Sequence, residues 1–153
     1  MSAAAFPDPA ALVAANSYLT LATVDPDGRP WATPVWFAPD GDGFLWASRP
    51  EARHSRNIAT TPAVGIVVFD STAPPGQGTG FYADAEAAEV APGDVAAAVA
   101  AYSAGCVAAG LPGWTEARVT GPAQFRLYRA RMQRAWVLDD HDRRVPVQLW
   151  LPR

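Results

Sequence analysis

Residues 29–57 read RPWATPVWFAPDGDGFLWASRPEARHSRN. Pro30 to Ala38 is an apolar run with the two-residue period of a strand, so Trp31, Thr33, Val35 and Phe37 share one face and Pro34 and Trp36 lie on the other. Pro34 cannot donate to a ladder, which predicts an edge or a bulge at that point. Asp40-Gly41-Asp42-Gly43 has the chemistry of a hairpin turn, and Phe44 to Ser48 is expected to return antiparallel. Pro50 to Ala59 then reads as a short helix carrying Arg53, His54 and Arg56. The stretch therefore predicts an apolar wall of two strands with cations clustered just past its end. A flat aromatic ring with a phosphate tail needs both halves: the wall for the ring, the cations and backbone N–H groups for the phosphate.

On the N-terminal side, Asp8-Pro9 before AALVAA predicts an N-cap with proline at the first helical position, and a helix to about Ala15. Tyr18 to Val24 reads as a strand, and Asp25-Pro26-Asp27-Gly28 as a turn. On the C-terminal side, Ala63 to Asp70 is a near-continuous apolar strand. Ser71 to Gly80, STAPPGQGTG, is a Pro/Gly loop, and Phe81 to Val90 a further strand. Pro92-Gly93-Asp94 caps a helix from Val95, with Val95, Val99, Tyr102 and Cys106 on one face. Gln124 to Arg129, Ala135 to Leu138 and Val145 to Leu149 read as strands, the last two joined by the turn Asp139-Asp140-His141-Asp142. About seven or eight short strands with two or three helices, many strands apolar on both faces, suggest an α+β barrel. No repeat and no linker interrupts the chain, which predicts one domain over residues 1–153.

Half of the residues are hydrophobic and 18% are charged, as in an ordinary globular protein. The net charge of −3 argues against general nucleic-acid binding, because phosphate backbones demand a basic surface. All 12 basic residues are arginines, so any anion site must be built from Arg, His and backbone. Cys106 is alone, which rules out an intrachain disulfide and points to a reducing cytoplasm. The first residues lack the basic and apolar regions of a signal peptide. Val95 to Leu111 is too short and too weakly apolar to span a bilayer, so no membrane partner is expected.

Ser48, Arg53, His54, Arg56 and Asn57 could converge on one anion. The same residues also fit a solvated helix face, which is the reading that charge spacing by itself favours. His141 lies in DDHDRR and reads as an exposed turn residue, since adjacent residues in a hairpin turn rarely converge on one metal ion. Cys106 falls on the apolar face of its helix and reads as core. There is no nucleophile elbow, no P-loop and no G-x-G-x-x-G fingerprint. Any redox or transfer chemistry would be carried by a cofactor.

Taken in order, LATVDPDGRPWATPVWF, the hairpin and GFLWASRPEARHSRNIATTPAVGIVVFD resemble the pyridoxamine 5′-phosphate oxidase-like family of split β-barrel flavoproteins. The likeness is good over Tyr18 to Asp70 and extends more loosely to Val90 and to RLYRARMQRAWVL. It implies an antiparallel split barrel with peripheral short helices, with FMN bound at a homodimer interface. It further implies that the strand Thr33, Pro34, Val35 and Trp36 runs beside the isoalloxazine, and that Ala47, Ser48 and the pair Arg53-His54 hold the phosphate. The family's pair is Arg–Lys; here His54 replaces the lysine, so cofactor binding is expected to be stronger at pH 6 than at pH 8. A related branch binds the deazaflavin coenzyme F-420 through a Lys followed closely by Arg-Asn, which His54-Ser55-Arg56-Asn57 resembles with the lysine missing. The region after Trp136, with His141, Arg143 and Arg144, does not reproduce the vitamin oxidase's substrate motif. The expected function is an FMN-dependent oxidoreductase of unassigned small-molecule substrate. A deazaflavin-dependent reductase and a non-catalytic flavin-binding protein are the alternatives.

Overall fold

The computed structural model describes residues 8–148. Its elements are α1 (Pro9–Ala14), β1 (Tyr18–Val24), β2 (Pro30–Trp36), β3 (Ala38–Asp40), β4 (Gly43–Ser48), α2 (Arg53–Thr60), β5 (Ala63–Phe69), β6 (Gly80–Glu89), α3 (Val95–Ala108), β7 (Arg126–Leu138) and β8 (Arg144–Val147). The eight strands form one antiparallel sheet in the order β2-β1-β5-β6-β7-β4-β3, with β8 added to β7. β2 and β3 stand at opposite ends of that order yet are separated only by Phe37. The sheet is therefore a curled, split barrel, closed by a covalent corner rather than by a complete ladder.

Local chemistry explains the turns. The Asp25 carboxylate accepts from the N–H groups of Asp27 and Arg29, each at 2.9 Å, and Gly28 takes the positive φ that the turn requires. The Asp8 side chain accepts from the Ala10 N–H at 3.0 Å and caps α1.

Two expectations need correction. The wall is not one hairpin. Pro30–Trp36 pairs with β1 along its whole length, and only Ala38–Asp40 pairs with β4. The buried Phe37 ring meets Phe44 at 5.2 Å inside the barrel. The chain turns at Phe37 between the two ends of the sheet. Second, Gln124–Arg129 and Ala135–Leu138 are not separate strands. β7 runs unbroken from Arg126 to Leu138, because Arg129 to Gln133 keeps the two-residue alternation despite its charge, with Ala130 and Met132 buried and Arg131 exposed. The 13-residue strand bends with a register shift where it passes Asp84 and Ala85. Val145–Leu149 appears as β8, and Leu149 lies outside the described residues.

Burial divides into two clusters. The barrel interior holds Leu19, Leu21, Phe44, Trp46, Ile66, Val68, Phe81 and Val137, with Val13 of α1 packed into it. The second cluster lies under α3, where Val99, Tyr102 and Cys106 cover Ala38, Leu45 and Leu127. Two glycines permit the packing. A Cβ on Gly43 would lie 2.0 Å from the Ala130 carbonyl oxygen, and one on Gly105 would lie 2.6 Å from the Ala38 Cβ.

Candidate functional site: the split beside α2

Among the described residues, β2 is paired on one side only, with β1. Because β3 continues β2 and β4 runs back antiparallel, β4 returns toward β2 and approaches it without forming a ladder, ending at Ser48. The first turn of α2 closes that end of the barrel. Its N-cap residue, Ala52, offers no side-chain oxygen, so the N–H groups of the first turn are not capped by a side chain.

Ser48 is buried, and its Oγ lies 2.7 Å from Nε2 of the half-buried His54. Burial lowers the pKa of His54 from its ordinary 6.5, so the ring is neutral at pH 7 with no ligand present. Arg53 is exposed, with its guanidinium carbon 4.4 Å from the centre of the Trp31 ring and one nitrogen 4.0 Å from Asp25 Oδ2. Stacking on Trp31 steers the side chain toward the β1–β2 turn. The Asp25 contact is long and half-exposed, so it leaves the guanidinium available to a stronger anion.

Asn57, one turn after Arg53 on the same helix face, is buried and donates from Nδ2 to Thr23 Oγ1 at 3.0 Å. That bond docks α2 on β1. Arg56 lies on another flank of the helix, beside Ser55, Ile58 and Tyr128. Ser48 and His54 thus meet at the end of β4, Arg53 on the same helical turn reaches Trp31 and Asp25, and Arg56 lies on another flank.

Along β2, Val35 is buried in the barrel, Thr33 is half-buried on the same face, and Pro34 is exposed. The Trp36 indole packs under α3, edge-on to Tyr102 at 5.5 Å, so this side chain belongs to the second core. Tyr102 meets Trp114 at 5.4 Å, and burial pushes its phenol up to about 12. Ala47 packs against the same cluster. What β2 offers the split at Pro34 and Trp36 is backbone. Asp25, Trp31 and Thr23 were missed as partners of the site, because only the fold brings β1 and the β1–β2 turn to α2.

The chain belongs to the pyridoxamine 5′-phosphate oxidase family, which it matches over residues 8–139. No match is found among curated proteins. Among solved structures it is similar to a heme binding protein from Mycobacterium smegmatis, at 23% identity and a TM-score of 0.70, covering 94% of this chain and 59% of that one. It is also similar to HutZ, the heme storage protein of Vibrio cholerae, at 24% identity and a TM-score of 0.63, covering 86% and 92%. An F-420 reductase matches at 24% identity and a TM-score of 0.55, covering 77% and 87%. This chain spans less than two thirds of the length of the Mycobacterium smegmatis protein. These likenesses establish the split-barrel fold. No helix among the described residues is long and apolar enough to cross a membrane.

Proposed function

We propose that this protein binds FMN in the split between β2 and the end of β4, and acts on a small molecule as a flavin-dependent oxidoreductase. The observation that carries this reading is the meeting of Ser48 Oγ and His54 Nε2 at 2.7 Å beside the first turn of α2, which also carries Arg53. That donor set fits a phosphate monoester. The guanidinium supplies a fixed charge and a fork of donors, and the serine hydroxyl and the helix N–H groups supply shorter-range bonds. The flavin, once bound, supplies the hydride and electron chemistry. The protein's own part is to hold the phosphate, to lay backbone of β2 against the ring, and to keep water from it.

A second copy of the chain completes the site in this reading. On the outer face of β2-β1-β5, cross-strand pairing sets Ala22 opposite Ala32 and Gly65, and Thr20 opposite Pro34 and Val67. Ala22, Ala32 and Pro34 are exposed, as are Tyr18 at 59% and Phe69 at 49%. An exposed apolar sheet face of this kind suits a two-fold homodimer.

The deazaflavin alternative asks His54, Arg56 and Asn57 to grip one phosphate. Arg56 lies on another flank of α2 and the Asn57 amide is engaged by Thr23, which favours FMN. A non-catalytic flavin-binding protein would use the same contacts. Heme, bound by two of the similar proteins, has a spectrum unlike either flavin. Titration of the purified protein with FMN, riboflavin, the deazaflavin and heme tests the reading. FMN is expected to bind with a shifted flavin spectrum and more tightly than riboflavin. Equal affinity for FMN and riboflavin removes the phosphate site.

A further inference from the structure

Arg53 is held by two groups from the strand pair β1–β2 and its turn. Thr23 and Trp31 stand opposite each other in the register, and Thr23 accepts from Asn57, one turn along α2 from Arg53. That contact docks α2 on the strand pair and sets the Arg53 guanidinium against the Trp31 ring, at 4.4 Å. The second group is Asp25. Its Oδ1 accepts from the N–H groups of Asp27 and Arg29, each at 2.9 Å, and its carbonyl accepts from the Gly28 N–H at 2.9 Å. Oδ2 is left to Arg53, one of whose nitrogens lies 4.0 Å away, and the Asp25 side chain is only 20% exposed.

The turn requires an acceptor at position 25 and not a charge, because an asparagine oxygen can accept the same two bonds. The charge is therefore surplus to the turn, and it opposes any anion that Arg53 is to hold. At 4.0 Å the pair is beyond hydrogen-bond distance, and the arginine side chain is 41% exposed, so parting the two costs little. We propose that Asp25 is an internal counter-anion of Arg53. It keeps the guanidinium over Trp31 when no ligand is present, yields it to the ligand's phosphate, and takes it back on release. This rests on the FMN reading above and adds to it that the flavin is an exchanging ligand, bound less tightly than Arg53 and α2 would bind it without Asp25.

Titration of the full-length chain with FMN and with riboflavin tests this. Asp25→Asn keeps the acceptor of the turn and is expected to bind FMN about two- to fivefold more tightly, the scale of an exposed ion pair, with riboflavin unchanged. Asp25→Ser, whose hydroxyl can also close the turn, is expected to act in the same direction. In an Arg53→Ala background the gain is expected to disappear, since no guanidinium is left to compete for. FMN binding that neither variant tightens, a gain shared by riboflavin, or a gain of equal size with and without Arg53 overturns the counter-anion while leaving the phosphate site standing. Equal binding of FMN and riboflavin by the wild type removes the phosphate site itself, and this proposal with it.

Discussion

Ser48 Oγ and His54 Nε2 sit 2.7 Å apart at the end of the split, joining the last residue of β4 to the first turn of α2. The pair makes the imidazole a responsive part of the site, because one nitrogen is committed to a neutral hydroxyl while burial disfavours the charged ring.

The first consequence concerns pH and stability without ligand. The folded pKa of His54 is depressed, so the native state binds fewer protons there than the unfolded chain. The stabilisation is complete above the unfolded value near 6.5 and is lost as pH falls through the folded value. Thermal unfolding is therefore expected to show a decline below about pH 6.5 that His54→Gln flattens. An unaltered profile in the variant rejects this account of His54.

The second concerns cofactor binding. Arg53→Ala removes an exposed, charge-assisted contact and is expected to weaken FMN by about ten- to a hundredfold, with little effect on riboflavin. His54→Lys is expected to flatten the pH dependence. In the wild type, affinity is expected to rise toward lower pH, and the depressed pKa of the ring is expected to extend that rise below the range that an unperturbed histidine predicts. Asn57→Ala, by contrast, leaves Thr23 unpaired in a buried setting and is expected to cost about 1–3 kcal/mol of stability. Denaturant titration beside FMN titration separates the two kinds of loss.

Gly43 tests the close approach of β4 to β7. Alanine there places a methyl 2.0 Å from the Ala130 carbonyl oxygen, so β4 and β7 must part at the turn end of their ladder. Gly43→Ala is expected to lower the melting temperature sharply, whereas Gly93→Ala, with nothing within 4 Å, is expected to leave it nearly unchanged. Equal melting temperatures for the two variants contradict the packing.

The outer sheet face tests assembly. Val67→Arg sets a charge at the centre of the apolar patch formed with Thr20 and Pro34, where the wild-type side chain is only half-buried. The variant is expected to remain folded and to sediment as a monomer at concentrations where the wild type is expected to sediment as a dimer. A wild type that is monomeric with FMN bound refutes the shared site.

The sequence by itself determined the elements whose cause is local. Asp25 to Gly28 and Asp40 to Gly43 announce turns because Gly28 and Gly41 take the positive φ values and, in the first, Asp25 supplies the turn's hydrogen bonds. β1 falls where Thr, Leu and Val alternate, and the buried face of α3 follows from helical spacing at Val99, Tyr102 and Cys106. The ordered resemblance of residues 18–70 was enough to name the family and the split barrel. Charge misled at Arg131 to Arg134, where exposed arginines on one face hid the continuity of β7. Only the tertiary structure decided the corner at Phe37, because a change of strand partner depends on a sheet curling through elements far apart in the chain. It alone put Arg53 against Trp31 and Asp25, turned Arg56 toward Ser55 and Tyr128, and buried His54 beside Ser48. Each of those depends on the packing of α2 across the barrel end, which no spacing within 53–57 encodes.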